Sequence, residues 1–266
     1  MTESRAVRIG LRILTGIALA FIYVPLLILT IYAFNPTRSQ VWPPSGFSLH
    51  WFIEAFNNRS VLGAFFTSIV AAAGATTIAL ILGTAAALAV SRFQFFGRET
   101  ISFVLILPIA LPGVITGIAL SATFQTIGVN FGLATVIVGH ATFCVVIAYN
   151  NVLARQRRTQ RSTEEASADL GADTFMTFRR VTLPIMRTAL LSGALLAFAL
   201  SFDEVIVTNF TAGPGTETLP LWILSAIQRP QELPVVNVVA FVLIVVSVIP
   251  VYLAERIAGA EAATIR

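Results

Sequence analysis

Two adjacent carboxylates, Asp203 and Glu204, interrupt the mostly apolar residues 186–210. Carboxylates in such a stretch are costly in a membrane and usually face a cavity or a partner. Oxygen-bearing side chains recur here at steps of three, four and three: Ser201, Glu204, Thr208 and Thr211. This spacing predicts a polar stripe on one helical face that could bind a cation. The two acids could instead join helices or meet an arginine of a partner, and the sequence leaves these alternatives open.

Other groups that could do chemistry are scarce in the sequence. Cys144 is the single cysteine, so no intrachain disulfide forms, and we interpret it as a small buried apolar residue. His50 and His140 are isolated and receive no role. No metal cluster, catalytic nucleophile or G-x-x-x-x-G-K-[ST] phosphate loop is present. We therefore expect no catalytic residue, no metal site and no cofactor in this chain, which argues against a membrane enzyme.

The composition places these residues in membrane helices. Hydrophobic residues make up 56% of the chain and charged residues 11%, against about 25% charged in a soluble domain. A helix that crosses the bilayer needs about 20 apolar residues. Six stretches satisfy this: 13–34, 60–91, two within 100–154 joined at 124–132, 186–210 and 234–254. The sequence predicts an all-α integral membrane protein with six transmembrane helices.

The arginines predict the orientation. All 17 basic residues are arginine, and six spans place 14 of them on the side of both termini. Only Arg38, Arg59 and Arg229 fall on the other side. The positive-inside rule then places both termini in the cytoplasm. In this arrangement the arginines determine topology and contact lipid headgroups, and we expect no nucleic-acid binding.

Two connections face outward in this topology. Residues 35–59 include the aromatic stretch "FSLHWFIEAF", which is typical of a helix lying at the membrane interface. Residues 211–233 include "TLPLWILSAI", which we expect to form a short helix against the bundle. Small residues in "AAAGATTIALILGTAAALA" of the second span favour close helix packing.

Span three contains Pro108, Pro112, Gly113 and Gly117. Proline removes a backbone donor and kinks a helix. Irregular backbone at membrane depth is tolerated where protein or a watery cavity surrounds it. The kink could line a pathway or could be a bend that serves packing.

A polar block follows span four, from Arg155 to Pro184. Ser162 and Glu165 match a capping box, so a helix should start there, and Gly171 is a natural helix end. A second helical piece should place three residues on one face: Phe175, Phe178 and Thr182. Pro184 should break this pattern and open span five. The block could rest on lipid or dock a cytoplasmic protein.

The spacing in this block resembles the EAA loop of ABC importer permeases. Glu165-Ala166-Ser167 is followed after three residues by Gly171, and after nine more by Val181, Thr182, Leu183 and Pro184. Ser167 and Val181 depart mildly from the family pattern. The resemblance implies the type I importer permease fold. In that fold the EAA loop forms a coupling helix that binds in a cleft of an ATP-binding subunit. It assigns this coupling role to eight residues: Glu165, Ala166, Ser167, Leu170, Gly171, Ala172, Leu183 and Pro184.

Longer segments resemble the spermidine/putrescine branch of this family, in its second permease. They are "YAFN", "FSLHWF", "LPIALPGVITGIAL" and "SFDEVIVTNFTAGPGTETLP". The resemblance implies a polyamine substrate, with an aminophosphonate or opine as the alternative solute. We interpret six residues as the substrate pathway or gate: Ser201, Asp203, Glu204, Thr208, Pro108 and Pro112.

The same resemblance implies the surroundings of the chain. The expected location is the bacterial inner membrane, as a multi-pass subunit paired with a second permease. Partners are an ATP-binding subunit dimer, which holds ATP and Mg, a periplasmic or lipid-anchored substrate-binding protein, and membrane lipid. We expect an N-terminal helix and periplasmic segment at 1–59, the transport domain at 60–256 and a cytoplasmic tail at 257–266. A secondary transporter is the rival class, but it would typically show an internal repeat, and we find no convincing one.

Overall fold

The structure, a computed structural model, describes residues 5–264, with side chains at residue 5 and residues 7–256. Residues 1–4 and 265–266, predicted to be cytoplasmic, lie outside the described residues. The described chain forms these helices: α1 (Arg5–Ala33), α2 (His50–Asn57), α3 (Arg59–Arg92), α4 (Arg98–Ala110), α5 (Gly113–Thr126), α6 (Leu133–Arg158), α7 (Ser162–Asp169), α8 (Thr174–Thr177), α9 (Leu183–Phe202), α10 (Ile206–Thr211), α11 (Leu219–Ala226) and α12 (Leu233–Thr264). A π-helical turn occupies Phe178–Thr182 and a 3₁₀ turn occupies Pro230–Glu232.

The apolar helices confirm the all-α membrane fold. Five segments are long and apolar enough to cross a membrane: Val7–Ala33, Arg59–Arg92, Leu133–Arg158, Thr174–Phe202 and Pro230–Arg256. The pair α4 and α5, which meet at an angle of 106°, makes a sixth when the two helices are counted as one bent span.

Proline explains the bend in this pair, as the sequence predicted. Leu111 is extended, with φ −83° and ψ 143°, because the residue before a proline is disfavoured in the helical region. Pro112 lacks an N–H and cannot continue the hydrogen bonds of α4. A new helix therefore starts at Gly113 in a different direction.

The chain folds into two compact units. The first takes the described part of Met1–Leu62 together with Ile223–Ile244. Four rings cluster in it, with neighbouring centroids 4.9 to 6.1 Å apart: Phe34, Phe47, Phe52 and Phe241. The indole N–H of Trp51 donates to the carbonyl oxygen of Asn35 at 2.9 Å, which ties α2 to the end of α1. The helix expected in "FSLHWFIEAF" is therefore present as α2.

The second unit takes Gly63–Trp222 together with the described part of Val245–Arg266, and α6 lies at its centre. Close packing of α3 against α6 confirms the prediction from small residues: a Cβ added at Gly83 would come within 2.8 Å of the Ala148 Cβ. Cys144 is fully buried on α6, as expected, and its thiol donates to the Ala197 carbonyl oxygen at 3.3 Å. The short helix expected in "TLPLWILSAI" is α11, where the Leu219 N–H donates to the Ser68 hydroxyl at 2.8 Å.

Candidate functional site

The predicted polar stripe does not run along one continuous helix. Helix α9 ends at Phe202 and α10 begins at Ile206, so Asp203 and Glu204 lie in the break between them. The Glu204 carboxylate Oε1 accepts a hydrogen bond from the Val207 N–H at 2.9 Å, in the first turn of α10. A side-chain acceptor at this position satisfies a free N–H and favours a new helix start over continuation. The expectation of a single helical face is therefore wrong.

His140 joins the two sides of this break. Its Nδ1 lies 2.7 Å from the Ser201 hydroxyl on α9, and its Nε2 lies 2.8 Å from the Thr208 hydroxyl on α10. All three residues are buried, with at most 2% of their surface exposed. Two residues of the predicted stripe are thus brought together by a histidine on α6 for which no role was predicted. Its position as a polar group inside an apolar span was the available signal.

The Thr208 hydroxyl extends this network. It lies 2.9 Å from the Glu204 carbonyl oxygen, to which it can donate, while it also contacts the imidazole of His140. This network fixes the backbone around Glu204 from both sides.

A cavity of about 340 Å³ lies beside the break. Pro108 and Glu204, both predicted as pathway residues, line it, together with Leu111 and Gly113 at the bend of α4 and α5. Thr116, Phe143 and Val207 are among the other lining residues. The bent span and the broken span therefore face the same space, and Glu204 supplies a carboxylate to it.

The other predicted pathway residues do not line this cavity. Pro112 produces the bend, while its neighbours Leu111 and Gly113 face the space. Asp203 is exposed, and within the described residues its carboxylate makes no hydrogen bond or ion pair. Ser201 and Thr208 are occupied by His140. The two adjacent acids therefore differ in position, because Glu204 lines the cavity and Asp203 does not.

The predicted coupling segment has the expected glycine turn. Helix α7 starts at Ser162, and Gly171 follows its end with φ +84°, in the left-handed region that favours glycine. The capping box expected between Ser162 and Glu165 is absent: Ser162 makes no capping bond, and Glu165 lies 3.5 Å from Arg161 on the exposed face. The side-chain cap in this segment is instead Asp173, which accepts from the Met176 N–H at 2.7 Å.

The expected break at Pro184 is also wrong. Residues Thr174–Phe202 form one continuous span candidate that passes through the π-helical turn Phe178–Thr182. Pro184 lies in the first turn of α9, directly after the π-helical turn. It is accommodated there because the π-helical turn already interrupts the regular α-helical hydrogen bonds, so the N–H that proline lacks is not needed. The second half of the polar block is consequently continuous with a membrane helix.

Glu164 anchors α7 to the membrane helices. Its carboxylate pairs with the Arg92 guanidinium at the end of α3 and accepts from the Thr182 hydroxyl at 2.7 Å. Arg92 also donates to the Thr182 hydroxyl at 3.0 Å. The arginine and the glutamate expose only 27% and 21% of their side chains. Glu165 is the predicted coupling residue of the acidic pair, but the intramolecular anchor is Glu164.

The sequence of the chain matches a known family. The family described as "Binding-protein-dependent transport system inner membrane component" matches residues 79–259, most of the chain. The chain belongs to this family. It is therefore a multi-pass inner-membrane transport subunit, whose partners are an ATPase subunit and a substrate-binding protein. The permease itself is a transport component, since the ATPase activity of such systems lies in a separate subunit.

Named relatives cover most of this permease. The putrescine transport system permease protein PotI of Escherichia coli K12 is 36% identical over 83% of this chain and 80% of its own. The spermidine/putrescine transport system permease protein PotC of Haemophilus influenzae is 33% identical over 90% of this chain and 92% of its own. These matches confirm the family resemblance drawn from the sequence segments.

Solved structures share the fold at low identity. A chain of a bacterial ABC transporter involved in the import of the acidic polysaccharide alginate has a TM-score of 0.70 at 16% identity, over 97% of this chain and 98% of that one. A chain of the MetNI methionine ABC transporter has a TM-score of 0.57 at 16% identity, over 76% of this permease and 98% of that chain. The expected importer permease fold is thereby confirmed.

Replacement of His140 by leucine is expected to destabilise the permease. The change leaves the buried hydroxyls of Ser201 and Thr208 without the imidazole. Interhelical hydrogen bonds of this kind are worth about 0.6 kcal/mol each in a membrane, so the loss should be about 1–2 kcal/mol. Thermal unfolding of the detergent-purified protein measures it. His140→Gln, which keeps a donor and an acceptor, should unfold nearer the parent temperature, and equal losses in the two variants would contradict the network.

Exchange of the charges at Arg92 and Glu164 tests the anchor of α7. Each single reversal, Arg92→Glu or Glu164→Arg, places like charges together and should lower uptake about 10-fold, since contacting charges couple by about 0.5–3 kcal/mol. The double reversal restores the pair and should recover most of the uptake. Uptake and membrane abundance are measured together for all three variants. A double variant as inactive as the singles would show that the pair does not hold α7.

Proposed function

We propose that this permease forms half of the translocation pathway of an ATP-driven polyamine importer, with putrescine or spermidine as the substrate. The observation that carries the proposal is the similarity to PotI and PotC, at 36% and 33% identity over more than four fifths of this chain. A second permease would supply the other half of the pathway. ATP and Mg would be bound by the ATPase subunits and not by this chain.

The cavity at the helix break supports a cationic substrate. Glu204 presents a carboxylate to a space of about 340 Å³ whose other lining residues are neutral. A primary ammonium group passing this point would find a charge-assisted hydrogen-bond acceptor. We assign Glu204 to the pathway directly, and Pro108 and Pro112 to the bend that opens the space. Ser201 and Thr208 act on the pathway through His140, and Asp203 lies beside it.

The exposed end of α7 supports the proposed coupling role. Leu170 is 89% exposed and Phe175 is 70% exposed, on either side of Gly171. Large apolar side chains at such exposure need a partner to cover them. We propose that the ATPase subunit covers these side chains. The same contact would include four further residues: Glu165, Ala166, Ser167 and Ala172. Leu183 and Pro184 would transmit the movement of the ATPase subunit to α9. The anchor formed by Glu164 would make α3 move with this segment.

The proposed topology follows the arginines. The end of α3, the start of α4 and the end of α6, which carry Arg92, Arg98 and three further arginines, would face the cytoplasm together with α7 and both termini. Helix α1 presents apolar side chains to its surroundings, with Phe21 82% exposed and Leu14 63% exposed. Lipid and the second permease would cover these side chains.

Reconstitution of the full transporter tests this function. The permease is purified with its second permease, its ATPase and its binding protein, and inserted into liposomes. Uptake of labelled putrescine or spermidine should require ATP inside and the binding protein outside. Polyamine uptake that continues without the ATPase would instead indicate a secondary transporter.

An aminophosphonate is the rival substrate. A relative named as a putative 2-aminoethylphosphonate transport system permease protein of Salmonella typhimurium is 29% identical over 79% of this chain. Competition between unlabelled 2-aminoethylphosphonate and labelled putrescine for the binding protein separates the two. A binding protein that takes the phosphonate and ignores both polyamines would overturn the polyamine proposal while leaving the importer intact.

A further inference from the structure

A second cavity, of about 690 Å³, lies at the arginine-rich end of the second unit. It is bounded by the end of α3, the turn before α4 and the last turn of α6. Its polar lining residues are Gln94, Arg98, Glu99, Thr100, Ser102 and Arg157. The Ser102 hydroxyl lies 2.7 Å from the Tyr149 hydroxyl, so this side of the cavity is fixed to α6.

The two arginines of this cavity are unpaired within the part of the permease that the structure describes. Within the described residues, neither the Arg98 nor the Arg157 side chain makes an ion pair or a hydrogen bond. They come from helices distant in sequence, and two like charges on one cavity repel unless an anion lies between them. Glu99 is the acid among the lining residues, so two arginines and one glutamate give a charge of +1. The cavity thus matches a ligand with a single negative charge.

The turn beside the cavity exposes aromatic side chains. Phe93, Phe95 and Phe96 are 63%, 39% and 105% exposed, between the last residue of α3 and the first of α4. Three exposed rings in five residues are unfavourable in water but suit the region below the lipid headgroups. Both neighbouring helices belong to membrane spans, so the turn lies at a membrane surface.

We propose that this cavity binds the headgroup phosphate of an anionic phospholipid of the inner leaflet. Arg98 and Arg157 hold the phosphodiester, since guanidinium groups form paired hydrogen bonds with phosphate oxygens. Gln94 and Thr100 add neutral donors, and the phenylalanines enter the acyl region beside the lipid. Basic pockets between membrane helices at the cytoplasmic side are suited to such headgroups. The lining residues of this site differ from those of the cavity at Glu204, so the proposal holds for any substrate of the importer.

Lipid retention by the purified transporter complex tests the site. Complexes with the parent permease and with the double variant Arg98→Gln and Arg157→Gln are titrated with short-chain phosphatidylglycerol and analysed by native mass spectrometry. One lipid should bind the parent, and the double variant should bind it about 30-fold more weakly, since each arginine near the membrane surface contributes about a factor of five. The matched control is Arg8→Gln and Arg12→Gln on α1, which removes the same charge and should leave this affinity unchanged.

Two further binding measurements identify the ligand. Short-chain phosphatidylcholine should bind more weakly than phosphatidylglycerol, and inorganic phosphate should not displace the lipid at millimolar concentration. Equal binding of phosphatidylglycerol by the parent and the Arg98/Arg157 variant would overturn the proposal. Loss of the ATPase subunit from the variant complex without loss of lipid would show instead that the arginines contact protein.

Discussion

Replacement of Gly171 by aspartate is expected to abolish uptake while leaving membrane insertion intact. Gly171 has φ +84°, where a side chain costs about 1 kcal/mol, and a Cβ there would meet nothing within 4 Å. The fold should therefore tolerate the change. The new carboxylate would project between Leu170 and Phe175, on the surface proposed to contact the ATPase subunit. An unpaired charge buried in an interface costs about 3–5 kcal/mol, which is enough to separate the subunits.

Two controls separate docking from backbone strain. Gly128 has φ +71° and likewise nothing within 4 Å of an added Cβ, but it lies in the turn after α5. Gly128→Asp should insert and transport normally. Gly171→Asn keeps the size without the charge and should retain part of the uptake. Co-purification of the ATPase subunit, abundance in the membrane and uptake are measured for each variant, and normal uptake by Gly171→Asp would count against the coupling role.

Replacement of Glu204 by glutamine is expected to slow uptake of a polyamine about 10-fold. Loss of one charge-assisted contact in a partly desolvated pathway is worth about 1.4 kcal/mol, or a factor of ten. Glutamine keeps an oxygen that can accept from the Val207 N–H, so the start of α10 should remain intact. The variant therefore tests the charge and not the fold.

Asp203→Asn is the matched control for this prediction. It removes the same charge one residue away, from a side chain that is exposed and does not line the cavity. Initial uptake rates of putrescine at saturating binding protein should fall for Glu204→Gln and stay near the parent rate for Asp203→Asn. Equal rates in the two variants would return both acids to a structural role.

Local features of the chain were predictable wherever one residue type determines the backbone. Gly171 ends its helix in the left-handed region as predicted, because glycine has no Cβ to clash there. The prolines of span three predicted its kink, and the structure has a bend of 106°. The short helix α11 and the close packing of α3 also follow from local composition. These properties need no knowledge of distant contacts.

The errors arose where distant residues compete for a polar group. Ser162 and Glu165 match a capping box, yet no capping bond forms. The Glu165 carboxylate pairs with Arg161 instead, and the adjacent Glu164 pairs with Arg92 on α3. The stripe from Ser201 to Thr211 fits one helix, yet a second helix begins at Ile206, where Glu204 accepts a hydrogen bond from the Val207 N–H. The spacing of these residues does not distinguish a continuous helix from two helices with a break between them, because both conformations fit the same spacing.

The sequence by itself determined the membrane class, the apolar stretches that form the spans, the family-like spacing of the polar block and the presence of two acids next to the fifth apolar stretch. Each of these properties depends on composition or on contacts between residues close in sequence, and the free energies of such local contributions add along the chain. Only the tertiary structure decided that Glu204 faces the cavity, that Asp203 does not, and that His140 holds the break between α9 and α10. The partners in that network lie 61 and 68 residues apart. A buried polar group must find whichever partner the packed helices place beside it, and that placement is not encoded in local spacing.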